Sequence, residues 1–263
     1  MLVHIVADYG AGDLAFAEVV QRLKLHLPDA EVVMTPVGPF STLAAGFCIA
    51  QLGLNLAPPG TIIFHNIAPR QDDPAARGAN AGERLAFARL PTGVRVIGVA
   101  AGHTFSFIRD HAEELRWASV AAEGSQFRSR DLFPEAAGAI AMGSPGALAD
   151  EIPRSEIAEV PESRLAYVDG YGNLKTTIPG KVASAKKGKT IRVRVGEKEF
   201  EARAGDGSFD VEDGQLAFAP GSSGWDDADG KPVRWVELFL RGGNAWEHFG
   251  RPPIGSEVEI LGR

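Results

Sequence analysis

Cysteine is almost missing from this chain: Cys48 is the single one among 263 residues. One thiol cannot close an internal disulfide, which fits a reducing cytoplasm. Cys48 sits in the apolar run Leu43-Ala44-Ala45-Gly46-Phe47-Cys48-Ile49-Ala50 and reads as a small buried hydrophobe rather than a nucleophile. Uninterrupted apolar runs of membrane-spanning length are missing too. The first eight residues, Met1 to Asp8, have neither the basic start nor the small-residue cleavage site of a signal peptide, and read as a buried strand. A positive charge excess is absent, since the net charge is −7; no basic footprint argues for nucleic acid or an acidic membrane. Familiar catalytic motifs are equally scarce. Gly10-Ala11-Gly12 lacks the third glycine of a dinucleotide-binding turn, and there is no phosphate-loop lysine, His-Glu-x-x-His or serine elbow. The histidines (4, 26, 65, 103, 111, 248) show no metal-ligand spacing. These absences lead us to expect a soluble cytoplasmic protein with no metal, acting on a small molecule.

What the chain does have is punctuation. Its 31 glycines and 17 prolines imply many tight turns and little long helix. Val3–Ala7, Glu31–Thr35, Thr61–Asn66, Leu85–Ala88 and Val94–Val99 read as short strands, with helical patterns over Leu14–Leu27 and Ser41–Leu54. That alternation predicts an α/β N-terminal domain with a mostly parallel sheet. Residues 150–164 are charged, proline-containing and aperiodic, as in a linker. Beyond them Leu165–Val168, Thr190–Val195, Lys198–Ala202, Leu216–Ala219, Val233–Leu240 and Glu257–Leu261 are short strand-like runs, while 221–230 reads as a loop. Their even spacing predicts a smaller all-β, barrel-like C-terminal domain. The expected domains are 1–155 and 156–263, with a functional site at their junction.

Two clusters carry chemistry. Asp8-Tyr9-Gly10-Ala11-Gly12-Asp13 lies at the carboxyl end of the first strand, where open α/β sheets bind ligands. A carboxylate there suits a ribose diol, and Asp13 equally suits a helix cap. Tyr167-Val168-Asp169-Gly170-Tyr171-Gly172-Asn173-Leu174-Lys175-Thr176-Thr177-Ile178 holds turn dipeptides beside an aromatic and two polar groups, so it reads either as a plain β-turn or as a binding loop.

Together with Pro59-Gly60-Thr61-Ile62, Phe127-Arg128-Ser129-Arg130-Asp131-Leu132-Phe133 and Gly243-Asn244-Ala245, these clusters resemble the S-adenosylmethionine hydroxide adenosyltransferases and their halogenating relatives, the fluorinases and chlorinases. The resemblance implies a homotrimer that takes S-adenosylmethionine as substrate and needs no further cofactor. Water or halide attacks the ribose C5′ and methionine leaves as a neutral thioether. It also implies roles for particular residues. Asp8 grips the ribose hydroxyls and Phe40 packs the ligand. Asp169 and Asn173 hold the methionine end and the adenine side, Tyr171 stacks on adenine, and Ser223 is a weaker match in a loop. Thr177 stands where the family shows asparagine.

The catalytic side departs from the family. Ala68 stands in the place of its acid and Arg128 in the place of its histidine; its arginine survives as Arg77, and Ser129 matches a serine of the halogenating members that helps to bind halide. The family's Pro-Asp-Asn-Gly turn is replaced by Ala100-Ala101-Gly102-His103. Asp72, Asp73 and His103 are candidates for displaced groups, and Asn66 for positioning a water. A guanidinium about 4 Å from a sulfonium costs on the order of 4 kcal/mol at an effective dielectric near 20. Arg128 therefore either pairs with Asp72, Asp73 or Glu123, or faces an anion. The resulting expectation is a divergent adenosyltransferase or hydrolase; the alternatives are a non-catalytic nucleoside-binding protein and an enzyme using an anionic nucleophile.

Overall fold

The computed structural model describes residues 1–67, 75–121, 123–227 and 229–261. The chain divides into two units, Met1–Glu159 and Val160–Arg263.

In the first unit β1 (Leu2–Ala7) pairs in parallel with β2 (Glu31–Pro36) on one side and β3 (Ile62–Asn66) on the other. All five residues of β3 are buried, the pattern of a strand covered on both faces. β5 (Arg95–Val99) continues the parallel set beside β3. There the expected parallel sheet stops. β4 (Leu85–Arg89) runs antiparallel to β5, and β6 (Glu114–Ala118) and β7 (Leu148–Glu151) extend the sheet in antiparallel fashion. The order is β2-β1-β3-β5-β4-β6-β7, a mixed sheet rather than a mostly parallel one. The reason is the length of one connection. Only Leu90-Pro91-Thr92-Gly93-Val94 joins β4 to β5, closed by the Leu90 N–H to Val94 carbonyl bond at 3.0 Å. A parallel crossover needs a dozen residues or more, so this segment can only make a hairpin. β7 and a 3₁₀ turn (Arg154–Glu156) likewise occupy the start of the stretch that the sequence suggests is a linker.

Helices are few. α1 (Leu14–His26) buries Phe16, Val19 and Leu23, one stripe at helical spacing, and Asp13 caps it by accepting from the Ala15 N–H at 2.8 Å. α2 (Thr42–Gly53) is buried along most of its length, as its uniformly apolar sequence requires. Gly46 lets α2 approach closely: a Cβ there would lie 2.2 Å from the His103 carbonyl oxygen. Cys48 is buried in this helix, and burial pushes its thiol up to about 12, so it stays protonated and inert. Two short helices, α3 (Arg128–Asp131) and α4 (Phe133–Ala141), complete the layer beside α1.

His65 lies in the middle of the parallel sheet, fully buried, with its ring 5.1 Å from that of Phe105. Among the described residues neither ring nitrogen has a hydrogen-bond partner. Burial pushes its pKa down to about 3. The unfolded chain protonates this group near 6.5 while the folded chain does not, so its full contribution is present above 6.5 and is lost as pH falls towards 3. His4 and His103, also lowered by burial, act in the same direction. Unfolding free energy is expected to drop by about 1.4 kcal/mol per pH unit from His65 alone below pH 6.5. Denaturant titrations at pH 7, 6 and 5 of wild type and His65→Leu check this. The variant should lose about 1.4 kcal/mol per pH unit of the acid slope whatever its absolute stability, and an unaltered slope refutes the assignment.

The second unit is a seven-stranded sheet of order β14-β10-β11-β12-β13-β9-β8. Its strands are β8 (Leu165–Val168), β9 (Leu174–Pro179), β10 (Thr190–Val195), β11 (Lys198–Ala204), β12 (Leu216–Asp226), β13 (Pro232–Leu240) and β14 (Val258–Leu261); two short helices, α5 (Lys181–Ser184) and α6 (Ala245–His248), flank them. All ladders are antiparallel except β11–β12. A bridge between Arg164 and Glu257, with the Leu165 N–H to Ser256 and Val258 N–H to Ser163 bonds at 2.8 Å, joins the two edges into a nearly closed barrel. Ile191, Val193 and Val195 face the core and Thr190 and Arg192 face solvent, the alternation their sequence foretells. The stretch at 221–230 departs from its expected loop: β12 continues to Asp226 through a register shift between Pro220 and Gly224. The glycines there serve close packing, not a turn. A Cβ on Gly221 would lie 1.9 Å from Glu237 Oε1, and one on Gly224 2.0 Å from the Val233 carbonyl oxygen.

Among the described residues no helix is long and apolar enough to cross a membrane, and no group of three or more His, Cys, Asp or Glu side chains could hold a metal ion.

Candidate functional site

A cleft of about 260 Å³ opens at the carboxyl ends of β1 and β3, the edge at which such sheets bind ligands. Asp8 and Tyr9 follow β1, Phe40 follows β2, Asn66 ends β3, and Arg128, Ser129 and Phe133 enter from α3 and α4. Asp8, Phe40, Arg128 and Ser129, four of the residues singled out in the sequence, thus line one cavity.

Asp8 Oδ2 accepts a hydrogen bond from the Phe40 N–H at 3.1 Å. Phe40 itself has φ 60°, a left-handed backbone that non-glycine residues adopt at a cost of roughly 1 kcal/mol or more. Its ring is about half exposed beside the cleft. The strained backbone and the carboxylate that holds it therefore lie on the wall to which ligand contacts are assigned.

At the base of the cleft Tyr9 Oη and Ser129 Oγ are 2.6 Å apart. Asn66 hydrogen-bonds the same phenol. The Tyr9 ring is wedged edge-on between Phe16 and Phe127, and burial drives its pKa well above the usual phenol value, so it remains neutral. The segment carrying Ser129 is pinned from outside. Asp131 binds Arg130 and Ser125, contacts that pull its carboxyl down to about 2, and Arg130 reaches Glu18 on α1 at 3.0 Å.

Arg128 is held by backbone and packing. Its Nη1 donates to the Glu83 carbonyl at 2.9 Å, and its guanidinium faces the Phe133 ring at 5.3 Å. Gly82 leaves the space it fills: a Cβ there would lie 2.0 Å from Nη2. Burial lowers its pKa, the Glu83 charge opposes that, and the neighbouring Arg77 adds to it. Arg77 is not among the residues lining the cleft; it pairs with the Glu83 carboxylate at 3.3 Å. Glu83 therefore links both arginines, a partner the sequence reading did not name. Ala68, Asp72 and Asp73 lie outside the described residues. His103 does not line the cleft; its Nδ1 is 3.1 Å from Ser106 Oγ.

In the second unit Asp169, Tyr171 and Asn173 form the hairpin between β8 and β9. Asp169 Oδ1 accepts from the N–H groups of Tyr171 and Asn173, and its Oδ2 from the Asn173 amide, all at 3.0 Å. Both of these polar side chains thus shape the loop, while Tyr171 projects from it, 82% exposed. Gly172, at φ 80°, receives Asn244: a Cβ there would lie 2.0 Å from Asn244 Oδ1, and the Trp246 N–H donates to the Gly172 carbonyl at 2.9 Å. The Asp-Gly-Tyr-Gly-Asn and Gly-Asn-Ala motifs, about 70 residues apart in the chain, are thereby one structural element.

Beneath the loop lies a buried ion pair absent from the sequence reading. Lys175 Nζ donates to Glu237 Oε2 at 2.8 Å and lies 3.4 Å from Asp169 Oδ2. The two residues face each other across the β9–β13 ladder, and Glu237 is 1% exposed. Glu237 Oε1 also accepts from the Ser223 N–H at 3.2 Å. Ser223 is accordingly a buried strand residue and not the loop serine expected of it. Thr177 is buried as well, its Oγ1 accepting from the Arg164 N–H at 2.8 Å.

Residues 163–254 match the family model of the SAM hydroxide adenosyltransferase C-terminal domain. Over the whole chain the fold is similar to that of an uncharacterized conserved protein from Thermotoga maritima, with a TM-score of 0.76 and 22% identity over 98% of this chain and 100% of that one. A conserved hypothetical protein from Thermus thermophilus is similar with a TM-score of 0.66 and 22% identity, covering 98% of this chain and 99% of that one. No curated protein matches the chain.

Proposed function

We propose that this protein is a divergent S-adenosylmethionine-dependent adenosyltransferase or hydrolase, in which a small nucleophile attacks the ribose C5′ and methionine departs. The observation that carries this reading is the meeting of Asp8, Phe40, Arg128 and Ser129 in one cleft at the strand ends. The match of residues 163–254 to the adenosyltransferase C-terminal domain supports the ligand class. In this reading Asp8 accepts from the ribose hydroxyls, the Phe40 ring packs the ligand, and Tyr171 offers a face to adenine. A sulfonium leaves as a neutral thioether, so the protein has to orient and desolvate and need not supply an acid. S-adenosylmethionine is then the substrate, with no other cofactor, in a cytoplasmic homotrimer.

The attacking group is the open part. Tyr9 stays neutral, Asn66 and Ser129 are poor bases and Arg128 is a cation, so Asp8 is the only carboxylate among the described lining residues. That lining favours a nucleophile that arrives already charged over a water that must lose a proton. With neither group available, the chain binds the nucleoside without turnover. Incubation with S-adenosylmethionine, with and without chloride, followed by chromatography for adenosine, methionine and chlorinated adenosine, separates these readings. Adenosine with equimolar methionine supports hydrolysis, and a chloride-dependent product supports the anionic nucleophile. Tight binding without products leaves a binding protein, and absence of binding removes the functional reading altogether.

A further inference from the structure

Three residues that the resemblance assigns to the ligand, Asp169, Asn173 and Ser223, are joined in the barrel by two that it does not. From β12 the Ser223 N–H donates to Glu237 Oε1 at 3.2 Å, and Glu237 Oε2 accepts from Lys175 Nζ at 2.8 Å. Lys175 Nζ in turn lies 3.4 Å from Asp169 Oδ2. That oxygen also accepts from the Asn173 amide, while Oδ1 takes the Tyr171 and Asn173 N–H groups. We propose that Lys175 and Glu237 are positioning residues for nucleoside binding: through Asp169 they fix the hairpin that carries Tyr171 against β12, in the arrangement that presents its ring to the base. This rests on the reading above in giving that ring to adenine, and it adds the buried charges that set it.

Three observations carry it. First, the link is exclusive. Among the described residues Lys175 is the only group outside the 169–173 loop that meets the Asp169 carboxylate. Second, stability alone does not call for charges here. Lys175 and Glu237 are both buried, and desolvation offsets most of the attraction between two buried ions, so an apolar pair of the same volume is often as stable. What an ammonium between two carboxylates adds is direction, because it meets both only when strand and loop are in one arrangement. Third, the Tyr171 ring is 82% exposed, so its place is inherited from the loop backbone. That loop is clamped at two points, by Lys175 at the Asp169 carboxylate and by the Trp246 N–H at the Gly172 carbonyl, 2.9 Å apart. An aromatic face held ready in this way avoids the ordering that a loose loop undergoes on binding.

Calorimetric titration of the full chain with adenosine tests this, together with amide hydrogen exchange. Lys175→Met alone leaves the Glu237 carboxylate buried without a counter-charge, so the informative variant is Lys175→Met/Glu237→Leu, which removes both charges of the pair. In it the Tyr171 and Asn173 amides should exchange at least about tenfold faster, and adenosine should bind at least about fivefold more weakly. Tyr171→Ala in the wild-type background should also weaken adenosine by at least about fivefold, the low end of base stacking on an aromatic ring. The triple variant decides between placement and general loosening. When the buried pair acts by placing the ring, removing Tyr171 from the double variant weakens adenosine by less than about twofold more. Losses that multiply in full overturn the positioning role and leave the nucleoside reading standing. So does a double variant whose affinity or amide exchange stays within about twofold of wild type. If Tyr171→Ala binds adenosine as wild type does, the positioning role falls and the ribose assignment of Asp8 stands. A wild type that does not bind adenosine removes both.

Discussion

Asp8→Ala is expected to weaken adenosine binding by at least about 100-fold while leaving the fold intact. A carboxylate that accepts from both ribose hydroxyls makes two charge-assisted hydrogen bonds, each worth roughly 1.5–3 kcal/mol, and each 1.4 kcal/mol is about a factor of ten. The substitution also removes the acceptor for the Phe40 N–H and loosens a backbone held at φ 60°. Asp8→Asn keeps an acceptor for that N–H and loses the charge, so its affinity should fall between the two. Titration calorimetry measures the affinities, and a thermal melt shows whether the fold survives. Affinity within a factor of about two of wild type would remove the ribose assignment.

The largest stability effect is expected at Glu237. Its partner Lys175 is 8% exposed, and removing the carboxylate leaves an ammonium inside the barrel with Asp169, 3.4 Å away, as its one remaining acidic partner among the described residues. Breaking a buried pair on one side costs about 3–5 kcal/mol. At roughly 4–8 °C per kcal/mol for a domain of this size, Glu237→Ala should lower the melting temperature of the second unit by more than about 10 °C. The double variant Lys175→Met/Glu237→Leu leaves no buried charge, so it should recover most of the loss. A residual deficit of about 1 kcal/mol is expected because the Ser223 N–H loses its acceptor. Scanning calorimetry of the three proteins checks this, and a Glu237→Ala melting point within about 3 °C of wild type would show that the pair is not a structural anchor.

Much of the fold was legible because periodicity reports burial directly. The strands at β1, β2, β3 and β5, the two long helices and the alternation in β10 follow from where apolar residues recur. The direction of β4 was not read, although the five-residue Pro-Thr-Gly connection to β5 already excluded a parallel crossover. The glycines of 221–230 misled for the opposite reason. Glycine marks both a turn and a place where another group comes close, and only the structure shows Glu237 and the Val233 carbonyl in the space a side chain would need. In the cleft, resemblance identified Asp8, Phe40, Arg128 and Ser129, but not what holds them. Glu83 and Gly82 act through a carbonyl and through missing bulk, and neither leaves a signal in a single sequence. The Lys175–Glu237 pair did leave one, a single charge of opposite sign in each of two otherwise uncharged runs, Leu174–Ile178 and Val236–Leu240.

The barrel seam has a consequence for biosynthesis. Its two edges come from opposite ends of the second unit, Ser163–Leu165 and Gly255–Val258, about ninety residues apart in the chain. While the ribosome is still adding the last strand, β8 exposes an unpaired edge, and the ring of hydrogen bonds cannot close until β14 has emerged. Non-local closure of this kind slows folding and prolongs the time during which strand edges are open to other chains. Closure of the second unit thus waits on a strand about ninety residues away, whereas in the first unit the β1–β2, β4–β5 and β6–β7 pairs join strands adjacent in the chain.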